Sequence, residues 1–354
     1  MEQHHIQAIL DRFLTPAFSV QRGIITQLNY EAQRCMIQPD APVDSLLGSE
    51  RQAYDDFTGG CLYLTLHLGD QALGAAVTRH DGFDLFVLDH EIEQHELRAL
   101  ALASRELRTP LAEIICAADS LLSKLEETAN SQEEAATINR SIHQLHRLVC
   151  NMSDAARYTA ESGLDHSLRN LSAIFDEAFA RAASLAEHAG ISLHYTSTAA
   201  DVYGLADEEK LQRAVYNLIS NALKFTPKGS SIDAKLTLRN SRLYLTVQDS
   251  GSGVPENLLS SVFSRYQRNP SIEDGRYGIG LGLVIVRAAA AAHGGTVLLE
   301  QPEGQGARFT MTISVRQASS GSLRSPIPLP DYAGGRDHGL LELSDVLPTS
   351  AYKE

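Results

Sequence analysis

Two runs of apolar residues, spaced alternately four and three apart, constrain this chain more than any other feature. Leu107, Leu111, Ile114, Ala118, Leu121 and Leu125 form the first; Ile138, Ile142, Leu145, Val149, Met152 and Ala156 form the second. Such steps average ~3.5 residues and keep the stripe on one side of a helix that packs along a partner, which is a coiled-coil seam. The polar stretch Glu127 to Glu134 separates the runs, so residues 91–162 are expected to form an antiparallel helical hairpin. One hairpin buries each seam only in part. Pairing with a second copy, or with a related chain, completes a dimeric four-helix bundle, so a homodimer or heterodimer through 91–162 is expected; the alternative is a hairpin packed on another domain of the same chain.

At 354 residues, 43% of them hydrophobic and 21% charged, the chain can build two or three ordinary cores. Its formal net charge of −14 opposes phosphate neutralisation and argues against nucleic acid as a partner. No run approaches the roughly 18 consecutive apolar residues of a membrane span, and Met1-Glu2-Gln3-His4-His5 lacks the basic start of a secretory signal. Cys35, Cys61, Cys116 and Cys150 are scattered without a Cys-x-x-Cys pair, which suits neither a zinc site nor a disulfide framework. A soluble, cytoplasmic, multidomain protein is expected.

Residues 1–90 read as an α+β unit. Ile6 to Phe18 opens with helical spacing, while Gly23-Ile24-Ile25, Cys61 to Leu66, Gly74 to Thr78 and Phe83 to Leu88 favour strands. A short helix and β runs leading straight into a long helix suit a PAS-like sensor domain. Residues 163–316 read as α/β. Helices are expected over Ile174 to His188, Asp207 to Phe225 and Leu281 to Ala292. Strands are expected over Ile191 to Thr196, Ile232 to Leu238, Arg242 to Gln248, Thr296 to Glu300 and Arg308 to Val315. Residues 317–354, rich in Ser, Pro and Gly, are expected to be a flexible C-terminal tail, although Leu340-Leu341-Glu342-Leu343 could dock.

Four local patterns in the α/β segment carry chemistry. Asn217 and Asn221 are four apart on one helix face, with Lys224 three further on. Asp249-Ser250-Gly251-Ser252-Gly253 ends a strand, Gly278-Ile279-Gly280-Leu281-Gly282-Leu283 opens a helix, and Gly304-Gln305-Gly306 lies in a turn. Singly, each reads as solvated polar residues or turn glycines. Together they describe a nucleotide site. A glycine-rich turn at a helix N-terminus offers free N–H groups to phosphates. Asn amide oxygens are hard ligands suited to Mg2+, and a buried Asp249 carboxylate can accept from the amino group of adenine.

This order and spacing resemble the ATP-binding domain of sensor histidine kinases, of the wider GHKL family that includes gyrase-type ATPases and a heat-shock chaperone. The resemblance implies an α/β sandwich with a mobile lid, with ATP and Mg2+ as cofactors. Asn221 matches the magnesium-binding Asn of the family's N box, Asn217 its partner and Lys224 the phosphate-facing Lys. Asp249, Gly251 and Gly253 match the adenine-reading first glycine box. Val262 to Arg268, with Phe263, Tyr266 and Arg268, looks like the F box. Gly278, Gly280, Leu281, Gly282 and Leu283 match the second glycine box, and Gly304 and Gly306 the last glycine motif. In the hairpin, Ser104-Arg105-Glu106-Leu107-Arg108-Thr109-Pro110-Leu111 is similar to the H box, whose second residue is the phospho-accepting histidine. Leu145 to Arg157, including Asp154, resembles the end of the second dimerisation helix. The resemblance covers residues 95 to 316.

The chain departs from the family at Arg105, which stands in the acceptor position. A histidine is mostly neutral at pH 7 and offers a ring-nitrogen lone pair. An ordinary arginine has a neutral fraction of order 10⁻⁶ to 10⁻⁵, and its cation has no acceptor lone pair. Self-phosphorylation at the family's site is therefore not expected, and His143 and His146 read as exposed polar positions beside the seam. Glu106 and Thr109 match the family's assisting acid and the residue that orients water for dephosphorylating a partner's phospho-aspartate; Thr109-Pro110 could equally serve only to bend the helix. The leading expectation is a two-component sensor homologue that binds Mg-ATP and meets a response-regulator receiver domain, acting as a phosphatase or as a kinase in trans. The alternative is a non-catalytic pseudokinase that heterodimerises with a true kinase. A gyrase- or chaperone-like ATPase is disfavoured, because an amide at Asn217 cannot accept a proton from water.

Overall fold

The computed structural model describes residues 2–69, 71–89, 91–122, 129–157, 167–255, 258–259, 262–263, 281–302, 306–315 and 332–353. The N-terminal unit starts with α1 (Glu2–Leu10), β1 (Ala17–Gln21) and β2 (Ile24–Leu28). Three short helices follow, α2 (Tyr30–Arg34), α3 (Asp44–Leu47) and α4 (Arg51–Asp55), then β3 (Cys61–Leu68), β4 (Gln71–His80) and β5 (Phe83–Leu88). The helical spacing that opens the segment Ile6 to Phe18 ends with α1 at Leu10, and Ala17 to Val20 form a buried strand. Asn29 explains the switch. Its amide donates to the carbonyls of Phe13 and Thr15 at 3.2 and 2.8 Å and accepts from the Ala17 N–H at 3.0 Å, so the chain turns here.

The hairpin consists of α5 (Glu91–Leu122) and α6 (Ala129–Arg157). α5 runs unbroken through position 110, and α6 begins inside the polar stretch expected as a break. Glu and Gln lose little rotamer freedom in a helix, so polarity alone does not stop one. Packing of the two helices splits the seam. Leu111, Ile142 and Val149 are buried within the hairpin, whereas Leu107, Ile114 and Leu121 on α5 and Ile138 and Leu145 on α6 are exposed.

The third unit contains β6 (Ser167–Asn170), α7 (Leu171–His188), β7 (Ser192–Ser197), β8 (Tyr203–Ala206), α8 (Glu208–Phe225), β9 (Ser231–Arg239) and β10 (Arg242–Gln248). It continues with α9 (Gly282–Ala292), β11 (Val297–Glu300) and β12 (Arg308–Ser314). Asp207 caps α8, its carboxylate accepting from the Lys210 N–H at 3.2 Å, and Glu208 and Glu209 suit the positive end of the helix dipole. Strands β9, β10 and β12 alternate buried and more exposed residues, so the sheet is apolar on one face. α7, α8 and α9 pack on that face through Phe175, Phe179, Leu211, Ile219 and Val286. The short β6–β8 pair stands apart from this sheet.

The two sheets are one. The order β2-β1-β5-β4-β3 continues into β11-β12-β10-β9-β7, with β3 antiparallel to β11 through Cys61–Leu299 and Tyr63–Val297. Every pairing is antiparallel except β7 with β9. The seam between the units is locked by Asp89, whose carboxylate accepts from the Tyr63 hydroxyl and from Arg287 of α9, both at 2.6 Å.

Residues 332–353, expected as part of a flexible tail, are folded. They carry α10 (His338–Glu342), and Leu343, Leu347 and Tyr352 are buried in the core of the third unit. These apolar side chains recover enough water-exposed area to hold a segment that composition alone marks as loose. The strap lies against α6, α7 and α8. Glu342, fully buried, receives Nε of the equally buried Arg213 on α8 at 2.9 Å, and Arg213 also binds Asp154 and Asn151 of α6. Replacing Arg213 by Met would leave Glu342 and Asp154 without this partner. Removing one partner of a buried pair typically costs about 3–5 kcal/mol, so Arg213→Met should lower the thermal midpoint by several degrees, read by calorimetry.

Candidate functional site

The site is built where α8, the loop after β10 and the start of α9 converge. Regular α-helical spacing places Asn217 and Asn221 one turn apart. Asn217 is 1% exposed and Asn221 half-buried. Asn217 Nδ2 donates to the Arg213 carbonyl at 2.8 Å, which fixes its amide oxygen on the opposite side. That oxygen faces the N-terminus of α9: a Cβ added at Gly282 would lie 2.9 Å from it. A larger residue there would have to push the Asn217 amide aside. Among the described residues no side chain caps α9, and the first N–H groups of a helix, which have no partner within it, can bind an anion. Lys224, half-buried one turn beyond Asn221, has its ammonium pushed below the usual range by burial, with Asp345 acting against the shift and Arg147 adding to it.

Asp249 organises the second wall. Its Oδ1 accepts from the N–H groups of Gly251 at 2.8 Å and Ala307 at 3.2 Å, and the Asp249 N–H donates to the Ala307 carbonyl at 3.0 Å. The Gly306 N–H donates to the Gly251 carbonyl at 3.0 Å, so the first and last glycine motifs are tied together. Gly306 has φ +72°, and a Cβ there would meet the Asp249 carbonyl oxygen at 1.9 Å. Gly253 adopts φ +72° beside it. With Oδ1 engaged by the loop, Oδ2 is the atom from which a ligand amino group can be accepted. Burial pushes the Asp249 carboxyl above the usual range, against the two backbone donors that hold it down.

Phe263, expected in the F box, is fully buried, with its ring 5.8 Å from Tyr63 of the N-terminal unit and 6.5 Å from Phe309. Leu281 is buried just before α9, and Leu283 packs against the core. Tyr266, Arg268, Gly278, Gly280 and Gly304 lie outside the described residues. Arg105, Glu106 and Thr109 are exposed on α5. Among the described residues, no hydrogen bond or ion pair joins them to the cluster on α8 and α9.

The expectation for two histidines is corrected. His143 is 5% exposed, its Nδ1 bonded to the Asn139 carbonyl at 2.7 Å and its ring 5.3 Å from Tyr352. His146 is half-buried. The folded strap covers both, and burial pushes both pKa values below the ordinary range. Arg147 and Arg213, neither of which stands out in the sequence, are buried and paired. Arg213 lies four residues before Asn217 and shares its face of α8, away from Leu211 and Val215, so local spacing does not mark it as a buried, paired cation.

Because the folded-state pKa of Asp249 is raised, acidification discharges it earlier than an ordinary aspartate. Binding of a fluorescent adenine nucleotide should therefore weaken as the pH falls through that raised value. Asp249→Asn should weaken binding at neutral pH by about tenfold or more and flatten the pH profile, both read by fluorescence titration.

The family described as histidine kinase-, DNA gyrase B-, and HSP90-like ATPase matches residues 206–317, and the His Kinase A (phospho-acceptor) domain family matches residues 95–161. Hybrid signal transduction histidine kinase D of Dictyostelium discoideum is 30% identical over 230 residues, 63% of this chain and 15% of that protein. Sensor histidine kinase TmoS of Ectopseudomonas mendocina is 31% identical over 244 residues, 65% of this chain and 25% of that protein. The chain thus spans a quarter or less of the length of these relatives. The crystal structure of full-length ShkA in complex with AMPPNP is similar at 27% identity and a TM-score of 0.52, over 63% of this chain and 47% of that one. No helix among the described residues is long and apolar enough to cross a membrane. With both domain families matched in order along the chain, and sensor histidine kinases among its relatives, the chain belongs to the two-component sensor histidine kinase family.

Proposed function

We propose that this chain binds Mg-ATP between α8, the Asp249 loop and the start of α9, and that it works in a phosphorelay without accepting phosphate at its own H-box position. The observation that carries the second half is Arg105, an exposed guanidinium where the family has an imidazole. It holds five N–H donors and no lone pair, so it can bind a phosphoryl group but cannot attack one. For the first half, the uncapped start of α9 and Lys224 would face phosphates, Asn221 with Asn217 would hold the metal, and Asp249 Oδ2 would accept from adenine. The ShkA complex with AMPPNP supports this reading. The bound triphosphate would supply a transferable γ-phosphoryl group, with magnesium neutralising its charge.

Glu106 and Thr109 are exposed within one turn of Arg105, which leaves them open to a response-regulator receiver domain. The chain is read as acting on that partner's phospho-aspartate as a phosphatase, or as phosphorylating a histidine-bearing partner in trans. The N-terminal unit is read as PAS-like, supported by its five-stranded antiparallel sheet and the three short helices between β2 and β3. The exposed half of the seam supports a dimer. Leu107, Ile114 and Leu121 recur every seven residues on α5 with no cover in a single hairpin.

Incubation with radiolabelled ATP should leave the wild-type chain unlabelled, and Arg105→His should gain label. Strong wild-type labelling at another histidine would contradict the reading; absence of label in both, with no transfer to or from a cognate regulator, would favour the non-catalytic pseudokinase. Ile114→Glu places a charge on the uncovered stripe. It should shift the chain from dimer to monomer in sedimentation while leaving its thermal midpoint little changed.

A further inference from the structure

Arg147 belongs to the hairpin, yet its side chain serves the strap and the candidate nucleotide site. The side chain is 6% exposed. Nη1 donates to Asp345 Oδ2 at 2.7 Å, and Nε lies 3.4 Å from Glu342 Oε2, so two of its three nitrogens face the strap. The third, Nη2, donates to Asn217 Oδ1 at 3.4 Å. This is the same oxygen that faces Gly282 at the start of α9. The amide cannot turn away, because its nitrogen is bound to the Arg213 carbonyl.

Arg147 of the hairpin and Asp345 of the strap thus set charges against those a metal-bound nucleotide would bring. Asn217, paired with a candidate metal ligand, is occupied by a guanidinium cation. Lys224, the candidate partner of phosphate, feels the carboxylate of Asp345. A cation next to Asn217 repels an arriving divalent metal, and a carboxylate near Lys224 competes with phosphate oxygens for the same positive charge. Backbone contacts fix the strap in this pose: α6 side chains Arg140 and Gln144 donate to the Ser344 carbonyl at 3.3 and 3.1 Å. Two residues of the hairpin therefore hold the turn that presents Asp345.

We propose that Arg147, aimed by Glu342 and Asp345, gates the metal side of the nucleotide site, so that docking of the strap and binding of a magnesium-complexed nucleoside triphosphate oppose each other. This inference rests on the nucleotide reading given above. Arg147 is a positioning residue in it: the guanidinium acts on Asn217, and only with the strap in place. Linkage makes the opposition reciprocal, so bound nucleotide loosens the strap by the same factor by which the docked strap weakens nucleotide binding.

The test uses the full chain with Mg-AMPPNP as the probe. Calorimetric titration should show tighter binding by about fivefold or more for Asp345→Asn and for Arg147→Met. The Asp345 side chain is 35% exposed, so its isosteric replacement disturbs no core packing. Hydrogen exchange on the wild-type protein supplies a readout independent of any substitution: amides of residues 338–352 should exchange faster when Mg-AMPPNP saturates the chain. Unchanged or weaker binding in both variants, or strap exchange indifferent to the nucleotide, overturns the gate and leaves the nucleotide reading intact. Failure of the wild type and both variants to bind Mg-AMPPNP overturns both.

Discussion

The pair formed by Arg213 and Glu342 sets the arrangement of everything around it. Their side chains are 1% and 0% exposed. Moving a single ion into such surroundings costs several kcal/mol, so each charge is tolerable only against the other. Asp154 and Asn151 add acceptors for Arg213, and Arg147 adds positive charge beside Glu342. Three segments far apart in the chain, the end of α6, the middle of α8 and the strap, therefore have to meet at one point. The orientation of the hairpin on the ATP-binding unit follows from charge pairing as much as from apolar area.

A second junction works by hydrogen bonding. The sheet of the N-terminal unit extends that of the ATP-binding unit through β3 and β11, and Asp89 closes the contact immediately before α5 begins. Arg287, which Asp89 holds, also stacks 4.9 Å over the ring of Tyr63. It belongs to α9, whose first turn borders Asn217. A displacement in the N-terminal unit therefore has a short physical route to the edge of the candidate site, through a salt bridge and one helix.

Much of this was legible in the residues. The heptad steps gave the hairpin, because a period of ~3.5 has few other packed solutions. Alternation in Ile232 to Leu238 and Arg242 to Gln248 gave two strands of a one-sided sheet, and Asp207 before two glutamates marked the start of α8. The glycines carried the site because positions such as 251 and 306 leave no room for a Cβ. Long-range polar pairing was not legible. Nothing near Glu342 in the sequence shows that Arg213 will neutralise it, and the Ser, Pro and Gly content of the tail hides the few apolar residues that anchor it. The buried state of His143 was missed for the same reason, since its cover comes from Tyr352. The strand over Ala17 to Gln21 follows Pro16, which cannot continue a helix, and it is defined by its pairing with β2 and β5 rather than by its own five residues.

The central claim is that one chain keeps the grip on a nucleotide and lacks the nucleophile of its family. Native mass spectrometry of the intact chain incubated with Mg-ATP reads both halves at once, if each sample is measured again after denaturation. The account predicts nucleotide retained on the native chain and a denatured mass with no phosphoryl adduct. A native chain without nucleotide, or a denatured chain carrying phosphate, would contradict it.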